Sequence, residues 1–308
     1  MGTGHAEVVQ RNDALVDART LPEGSAGDVV QRYLTKHVAR LRRDEHRLHD
    51  GHDEGVHRMR VAARRLRSAL GSYRPLLDRS ATDRLRAELK WLGRALAEAR
   101  DAKVMQDRLV GLLGPLSPSI TAHLEARLRA GHTAAATALR SARYRRLLDD
   151  LDAFSRTPPL TEAARAPARQ ALPELLGADV DRVRKRHRGF PAAADPAERD
   201  RTLHEIRKAA KQLRYAAESS EPVFGKRARR LKARATALTL VLGEHQDTVV
   251  ARATLRQIGV RTVLGPEEAR AFGRLQELDE ARAADLERAY PPLLARLPDG
   301  DLGAWLTR

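Results

Sequence analysis

The stretch Val56-His57-Arg58-Met59-Arg60-Val61-Ala62-Ala63-Arg64-Arg65-Leu66-Arg67 constrains the fold more than any other part of the chain. At a helical rotation of about 100° per residue, His57, Arg60, Arg64 and Arg67 fall within about 80° of one another. Met59, Ala63, Leu66 and Leu70 form a second stripe, rotated by roughly 120°. One side of this helix must be buried, and beside it runs a row of cations that repel one another. Such a row persists cheaply only if water or an anion neutralises it. The pattern recurs 147 residues later as Leu203-His204-Glu205-Ile206-Arg207-Lys208-Ala209-Ala210-Lys211-Gln212-Leu213-Arg214. His57 matches His204, Arg60 matches Arg207, Arg64 matches Lys211 and Arg67 matches Arg214. Met59 matches Ile206 and Leu66 matches Leu213. Both stripes repeat, so the register of the basic face is a second constraint, separate from the core.

The rest of the chain follows the same duplication. A helix from Asp28 to about Asp50 has Val29, Val30, Tyr33, Leu34, Val38 and Leu41 on its apolar side, with Arg32, Lys36, Arg40 and Arg43 as a basic stripe. Asp53 is placed to cap the first motif helix, which is expected to run to about Leu77, past Pro75. Ser80 or Thr82 is expected to cap the next helix, whose stripe is Leu85, Leu89, Leu92 and Leu96, with Arg86, Lys90 and Arg94 alongside. Leu96 to Asp101 reads as a helix end and restart with Asp101 as cap, continuing through Val104, Leu109 and Leu112. Ser117 or Ser119 opens a long helix to about Leu139. Tyr144, Leu147, Leu148 and Leu151 finish the first half, and Thr157-Pro158-Pro159 marks a linker. The second half predicts helices near 173–190 and 197–220, then a very basic one from Lys226. At an offset of 146, Leu96, Glu98, Asp101 and Val104 match Leu242, Glu244, Asp247 and Val250, and Tyr144 matches Tyr290. No strand pattern is evident. The expectation is an all-α protein of two related antiparallel helical bundles about a pseudo-twofold axis. Its parts are a disordered leader (1–27), repeat 1 (28–154), a linker (155–172), repeat 2 (173–297) and a tail (298–308).

Composition narrows the chemistry. The formal net charge of the 308 residues is +16, carried by 49 Arg and 8 Lys, which points to a polyanionic partner. A biased genome can enrich arginine everywhere, but it cannot set a repeated register. There is no cysteine, so disulfides, thiolate catalysis and cysteine metal sites are excluded. No apolar run approaches a membrane span, and a cytoplasmic location fits best. Aromatic residues are 4% of the chain, which argues against stacking on single-stranded nucleic acid.

These motifs resemble the CHAD family, the conserved histidine α-helical domain. The resemblance rests on Val56-His57-x-Met59-Arg60-Val61-x-x-Arg64-Arg65-Leu66-Arg67, Leu96-x-x-x-Arg100-Asp101-x-x-Val104, Leu203-His204-x-Ile206-Arg207-Lys208-x-x-Lys211-x-Leu213-Arg214 and Leu242-Gly243-Glu244-His245-Gln246-Asp247. It implies two facing helical bundles, a basic groove or channel between them, and binding of inorganic polyphosphate, with an association to polyphosphate granules. No Glu-x-Glu-x-Lys motif of a CYTH triphosphate-tunnel domain occurs, so a stand-alone CHAD protein is expected. The chain departs from the pattern where Ala97 faces Gly243, Thr236 faces Lys90 and Gln212 faces Arg65.

A linear polyanion asks for repeated cations and little shape reading. Arg60, Arg64, Arg67, Arg207, Lys211 and Arg214 are the expected central phosphate contacts, with Lys208 close by. Lys36, Arg40, Lys90, Arg94, Lys185 and Lys232 would extend the track. His57 and His204 have two open readings: hydrogen-bonding a phosphate oxygen, or packing so as to orient neighbouring arginines. Asp101, Asp247, Glu98 and Glu244 read as caps or as partners holding arginines in line. His46, His49, Asp50, His52 and Asp53 could collect a metal, but a solvated loop is favoured, and no metal or cofactor is expected. His204-Glu205-x-x-Lys208 puts lysine where a zincin needs its second histidine. The favoured reading is a non-enzymatic binder of polyphosphate, whose site would also accept phosphate or sulfate. Its rivals are a nucleic-acid binder driven by charge alone, and a phosphohydrolase or phosphotransferase using His57 or His204. Nucleic acid is expected to bind only non-specifically.

Overall fold

The computed structural model describes residues 15–49, 54–113, 118–190, 195–261, 264–298 and 300–306. In chain order the helices are α1 (Ala26–His49), α2 (Glu54–Ser72), α3 (Arg79–Ala95), α4 (Ala97–Leu113), α5 (Pro118–Arg140) and α6 (Ala142–Arg156). They are followed by α7 (Ala168–Arg188), α8 (Pro196–Ser219), the short α9 (Glu221–Phe224), α10 (Lys226–Arg261), α11 (Pro266–Ala295) and α12 (Gly300–Leu306). The all-α expectation holds: among the described residues the only β-type pairing is isolated bridges. Among the described residues no helix is long and apolar enough to cross a membrane.

The predicted stripes are the core. Val30, Tyr33, Leu34, Val38 and Leu41 of α1 pack with Met59, Ala63, Leu66 and Leu70 of α2, with Leu85, Leu89 and Leu92 of α3, and with Tyr144, Leu147, Leu148 and Leu151 of α6. A second core joins Val180 and Val183 of α7, Ile206 and Leu213 of α8, Leu231, Leu238 and Leu242 of α10, and Tyr290 of α11. The break expected near Leu96 separates α3 from α4, whereas α10 runs unbroken through the matching Leu242. The sequence did not foresee a third core. Met105 and Leu109 of α4 and Ile120 and Leu124 of α5 pack with Ala251, Leu255 and Ile258 of α10 and with Phe272 and Leu275 of α11, so the far ends of the two halves share one hydrophobic cluster.

The two motif helices pack against each other, and their contacts are reciprocal. Arg65 on α2 pairs with Glu218 on α8 at 3.1 Å. Gln212, the counterpart of Arg65, lies against Gly71, the counterpart of Glu218, where a Cβ would meet the Gln212 amide at 3.2 Å. Positions i to j and j to i is the pattern a twofold between the halves asks for. Tyr73 Oη and Ser219 Oγ share a buried hydrogen bond between the turn after α2 and the end of α8. The carboxylate of Asp179 on α7, almost fully buried, accepts from Ser72 of α2, from Gln212 of α8 at 2.9 Å and from Arg182. Burial raises its pKa, and those three donors oppose the rise.

Several sequence expectations shift. Only residues 1–14 of the expected leader lie outside the described residues. Val16 N–H donates to Leu160 O at 2.8 Å and both side chains are buried, so the end of the leader belongs to the fold. Helix α2 stops at Ser72 rather than Leu77, because Pro75 cannot donate to the helical ladder; Arg74–Leu76 forms a 3-10 turn instead. The cap of α3 is Asp78, which accepts from Ala81 N–H at 2.8 Å, and Ser80 and Thr82 lie inside the helix. Asp101 is interior to α4 and caps nothing. Ser119 is the second residue of α5, and Ser117 and Asp53 lie outside the described residues. The linker is packed: α6 extends to Arg156, α7 begins at Ala168, and Leu160 and Ala164 between them are buried. Val104 and Val250 are exposed, not buried.

Leu66→Ala or Leu213→Ala, each made at a fully buried and matching position, should cost about 2–5 kcal/mol in urea unfolding. A cost below about 1 kcal/mol at either would contradict its place in the core.

Candidate functional site

Because α2 and α8 pack together, the two copies of the basic stripe meet. They line a cavity of about 690 Å³ with residues from four helices. Arg64, Arg67 and Ser68 come from α2, and Arg74 from the turn that follows it. Asp83, Arg86 and Lys90 come from α3, Arg182 and Arg186 from α7, and Glu205, Lys208, Lys211 and Gln212 from α8. Nine basic side chains face two carboxylates, Asp83 and Glu205. Ser68 carries the one hydroxyl of this lining, and Gln212 its one amide side chain.

The positive groups are crowded and half-buried, and their acid–base behaviour reflects it. Burial, then Arg207, Arg64 and Arg214, push Lys211 down to about 6, with Asp247 pulling the other way. Arg207 is lowered by burial while Asp247 supports its charge, and its Nε is buried without a hydrogen-bond partner. Arg67 is lowered by burial and then by Arg86, Arg64 and Arg94. Guanidinium pKa values start so high that these arginines remain charged; the lysine is the group that yields.

A second set of residues holds the cations in place. Tyr215, buried on α8, accepts from Arg64 Nε at 3.0 Å and from Arg214 Nη2 at 2.9 Å. Arg214 also lies over the Tyr215 ring at 4.7 Å, and Arg65 at 5.5 Å. One tyrosine thus braces arginines from both halves. The duplication does not reveal Tyr215, because its counterpart position in the first half is Ser68; its only sequence signal is an aromatic directly after the last basic residue of the stripe. Arg60 donates to Asp101 Oδ1 at 3.2 Å and to Ala97 O at 3.3 Å. Asp101 therefore holds an arginine in line, the second of the two roles read for it. Arg207 passes over Gly243, where a Cβ would sit at 3.8 Å, an ordinary contact; the Ala97 departure leaves the site unchanged.

The expected residues divide accordingly. Arg64, Arg67, Lys208, Lys211 and Lys90 line the cavity. Arg207 and Arg214 act on Lys211 from the same helix, and Arg94 acts on Arg67. Arg60 sits beside Asp101 at the α4 end of α2. Lys185 lies on a neighbouring cavity along α7. Lys36 and Arg40 lie on α1 near buried His37 and are not part of this lining. Lys232 is paired with Glu221 and Arg234 donates to Arg296 O, so neither replaces the cation that Thr236 lacks. Arg74, Arg86, Arg182 and Arg186 complete the lining and were not among the expected contacts.

His204 Nδ1 faces Gln246 Oε1, which makes Nδ1 the donor and leaves Nε2 as an acceptor in the neutral ring. Burial lowers its pKa, and the hydrogen bond with Gln246 opposes the fall. His57 is exposed on α2. Glu244 pairs with Arg282. Of the loop considered for a metal, residues 50–53 lie outside the described residues. Asp200, His245 and Glu287 do bring ligand atoms within 4.8 Å of one another. Arg252 and Arg199 already neutralise those two carboxylates.

Lys211 gives a stability test. Its folded pKa is depressed below the value of about 10.4 for a free lysine, so between about pH 6 and 10 the unfolded state holds the extra proton. Stability should therefore rise with pH across that window through this group. Lys211→Met should flatten that part of the thermal-denaturation profile and stabilise the protein near pH 6–7; an unchanged profile would contradict the burial.

The family model for the CHAD domain matches residues 32–256. Two uncharacterized proteins from strains of Mycobacterium tuberculosis are each 32% identical over 295 residues, covering 90% of this chain and 55% of theirs. The chain thus spans about half the length of the curated relatives it matches. Among solved structures, PptA from Streptomyces chartreusis superposes with a TM-score of 0.74 at 24% identity, over 88% of this chain and 99% of its own. The CHAD domain from the plant Ricinus communis superposes with a TM-score of 0.67 at 27% identity, over 95% of this chain and 97% of its own. The repeated basic helices and the helical bundles built on them are those of a CHAD domain, the family to which this chain belongs.

Proposed function

We propose that this chain binds inorganic polyphosphate without hydrolysing it, in the cavity where α2 and α8 meet. The observation that carries the reading is convergence: Arg64 and Arg67 from one copy of the motif and Lys208 and Lys211 from the other line one space, with nine basic side chains against two carboxylates. A linear polyanion satisfies such a set better than any compact ligand, because each phosphate brings its own charge. Tyr215 and Asp101 hold arginines extended beforehand, which lowers the entropy lost on binding. In this reading His204, held by Gln246, has an orienting role and neither motif histidine transfers phosphoryl groups. Binding of this kind would carry the protein to polyphosphate granules in the cytoplasm.

Replacing Arg60, Arg64, Arg207 and Lys211 together by uncharged residues should abolish polyphosphate binding in calorimetry while helical circular dichroism remains. Affinity of the unaltered chain should fall steeply with salt, as release of counterions requires. A flat salt response, or equal competition by duplex DNA, would contradict the reading; orthophosphate release by the pure protein would replace it with an enzymatic one.

The pH dependence has a sign. An anion beside Lys211 restores its charge, so binding takes up a proton, and affinity should rise as pH falls from about 8 to 6. Titrations of a long polyphosphate in buffers of different ionisation enthalpy should show this uptake, and Lys211→Met should remove it. Uptake that persists in the variant would place the titrating group elsewhere.

A further inference from the structure

A second cavity, of about 950 Å³, lies beside the first. Arg182, Arg186 and Glu205 line both, so the two meet at these side chains. Beyond them the second cavity is lined by Lys185 and Arg188 from the last turn of α7 and by Arg201 from α8, with the carboxylates of Asp181 and Glu198 beside them. Among the described residues none of these three cations makes a salt bridge. Cations in the last turn of α7 answer the helix dipole there. Arg201 lies in the second turn of α8, with Glu198 three residues before it and Glu205 four residues after it, and both carboxylates also line the cavity. What Arg201 shares with Lys185 and Arg188 is the cavity they face.

The arrangement belongs to the second half. By the 147-residue offset, Arg201 stands where the first half has Glu54, and Glu205 stands where it has Arg58. Glu205 is the only carboxylate common to both linings. It holds Lys208 at 2.7 Å, and Arg186 acts on it from α7. An anion spanning the two cavities would pass this carboxylate and the cations it holds.

Resting on the polyphosphate reading, we infer that the second cavity is a further subsite for the same polyanion, entered across Glu205 only by chains longer than the central cavity holds. The binding path then leaves the protein along α7 and α8, and chain-length preference is written into Lys185, Arg188 and Arg201. Glu205 acts as a charged sill between the compartments.

The test is calorimetry at fixed salt with two probes, tripolyphosphate and a chain of several dozen phosphates, on the unaltered protein, on Lys185→Ala/Arg188→Ala/Arg201→Ala, and on Glu205→Gln. The triple variant should bind the long chain at least about tenfold more weakly, with a salt slope shallower by about two, and bind tripolyphosphate unchanged. Glu205→Gln should strengthen long-chain binding severalfold. Unchanged long-chain affinity in the triple variant would overturn the subsite, and so would equal losses for both probes. Failure of the unaltered protein to bind either probe is a different result, and it removes the polyphosphate reading itself.

Discussion

Packing α2 against α8 is the interaction on which the rest depends, and it has an electrostatic cost. Each helix carries its cations beside its apolar stripe, so burying Leu66 and Leu213 brings Arg64, Arg207, Lys211 and Arg214 together out of water. Two like charges about 4 Å apart repel by about 1 kcal/mol in water and by about 4 kcal/mol at a partly buried site. The protein limits that cost in three visible ways. Lys211 gives up its proton readily, Asp101 and Asp247 supply opposing charge, and Tyr215 offers its hydroxyl and ring to two arginines. What remains is an excess of directed positive charge, which is the state an anion-binding site is in before its ligand arrives.

The scaffold keeps that excess from relaxing. Asp179 ties α2, α7 and α8 together through Ser72, Arg182 and Gln212, while Arg65 and Glu218 pin the α2–α8 crossing. At the far end, α4 and α5 share a core with α10 and α11, so the halves are joined by apolar burial as well as by the charged crossing. If the halves were joined only at the crossing, repulsion could open it. Fixing them at two separate places makes the cavity a property of the fold rather than of its ligand. Membership of the CHAD family accounts for the shared architecture, and the asymmetry of Thr236, Lys232 and Glu205 is where this chain's own character lies.

Much of this was legible in the sequence, for identifiable reasons. Met59, Leu66, Ile206 and Leu213 were readable as core because helical period and duplication agree at those positions, and all four are buried. Arg64, Arg67 and Lys211, which line one cavity, were readable together because a repeated cation row has no core-packing explanation. Other features depend on tertiary contacts that carry no local period. Arg182 and Arg186 enter the cavity only because α7 lies beside α8, and nothing in their own spacing distinguishes them from Arg184 or Arg188. Lys232 sits in a basic run, but its neighbour in space is Glu221. Helix ends were misjudged where a stronger local group prevailed, as Asp78 did over Ser80, and where Pro75 stopped α2 early. The third core was hidden because its two parts are far apart in the chain.

The central claim is that one anion is held by both copies of the motif. Crystals grown with tripolyphosphate test it most directly, by showing where the phosphorus density lies and which side chains reach it. The account predicts density in the cavity, with oxygens in contact with Arg64 from α2 and with Lys211 or Arg207 from α8. Density confined to one half, or scattered over outer faces with the cavity holding only water, would contradict it.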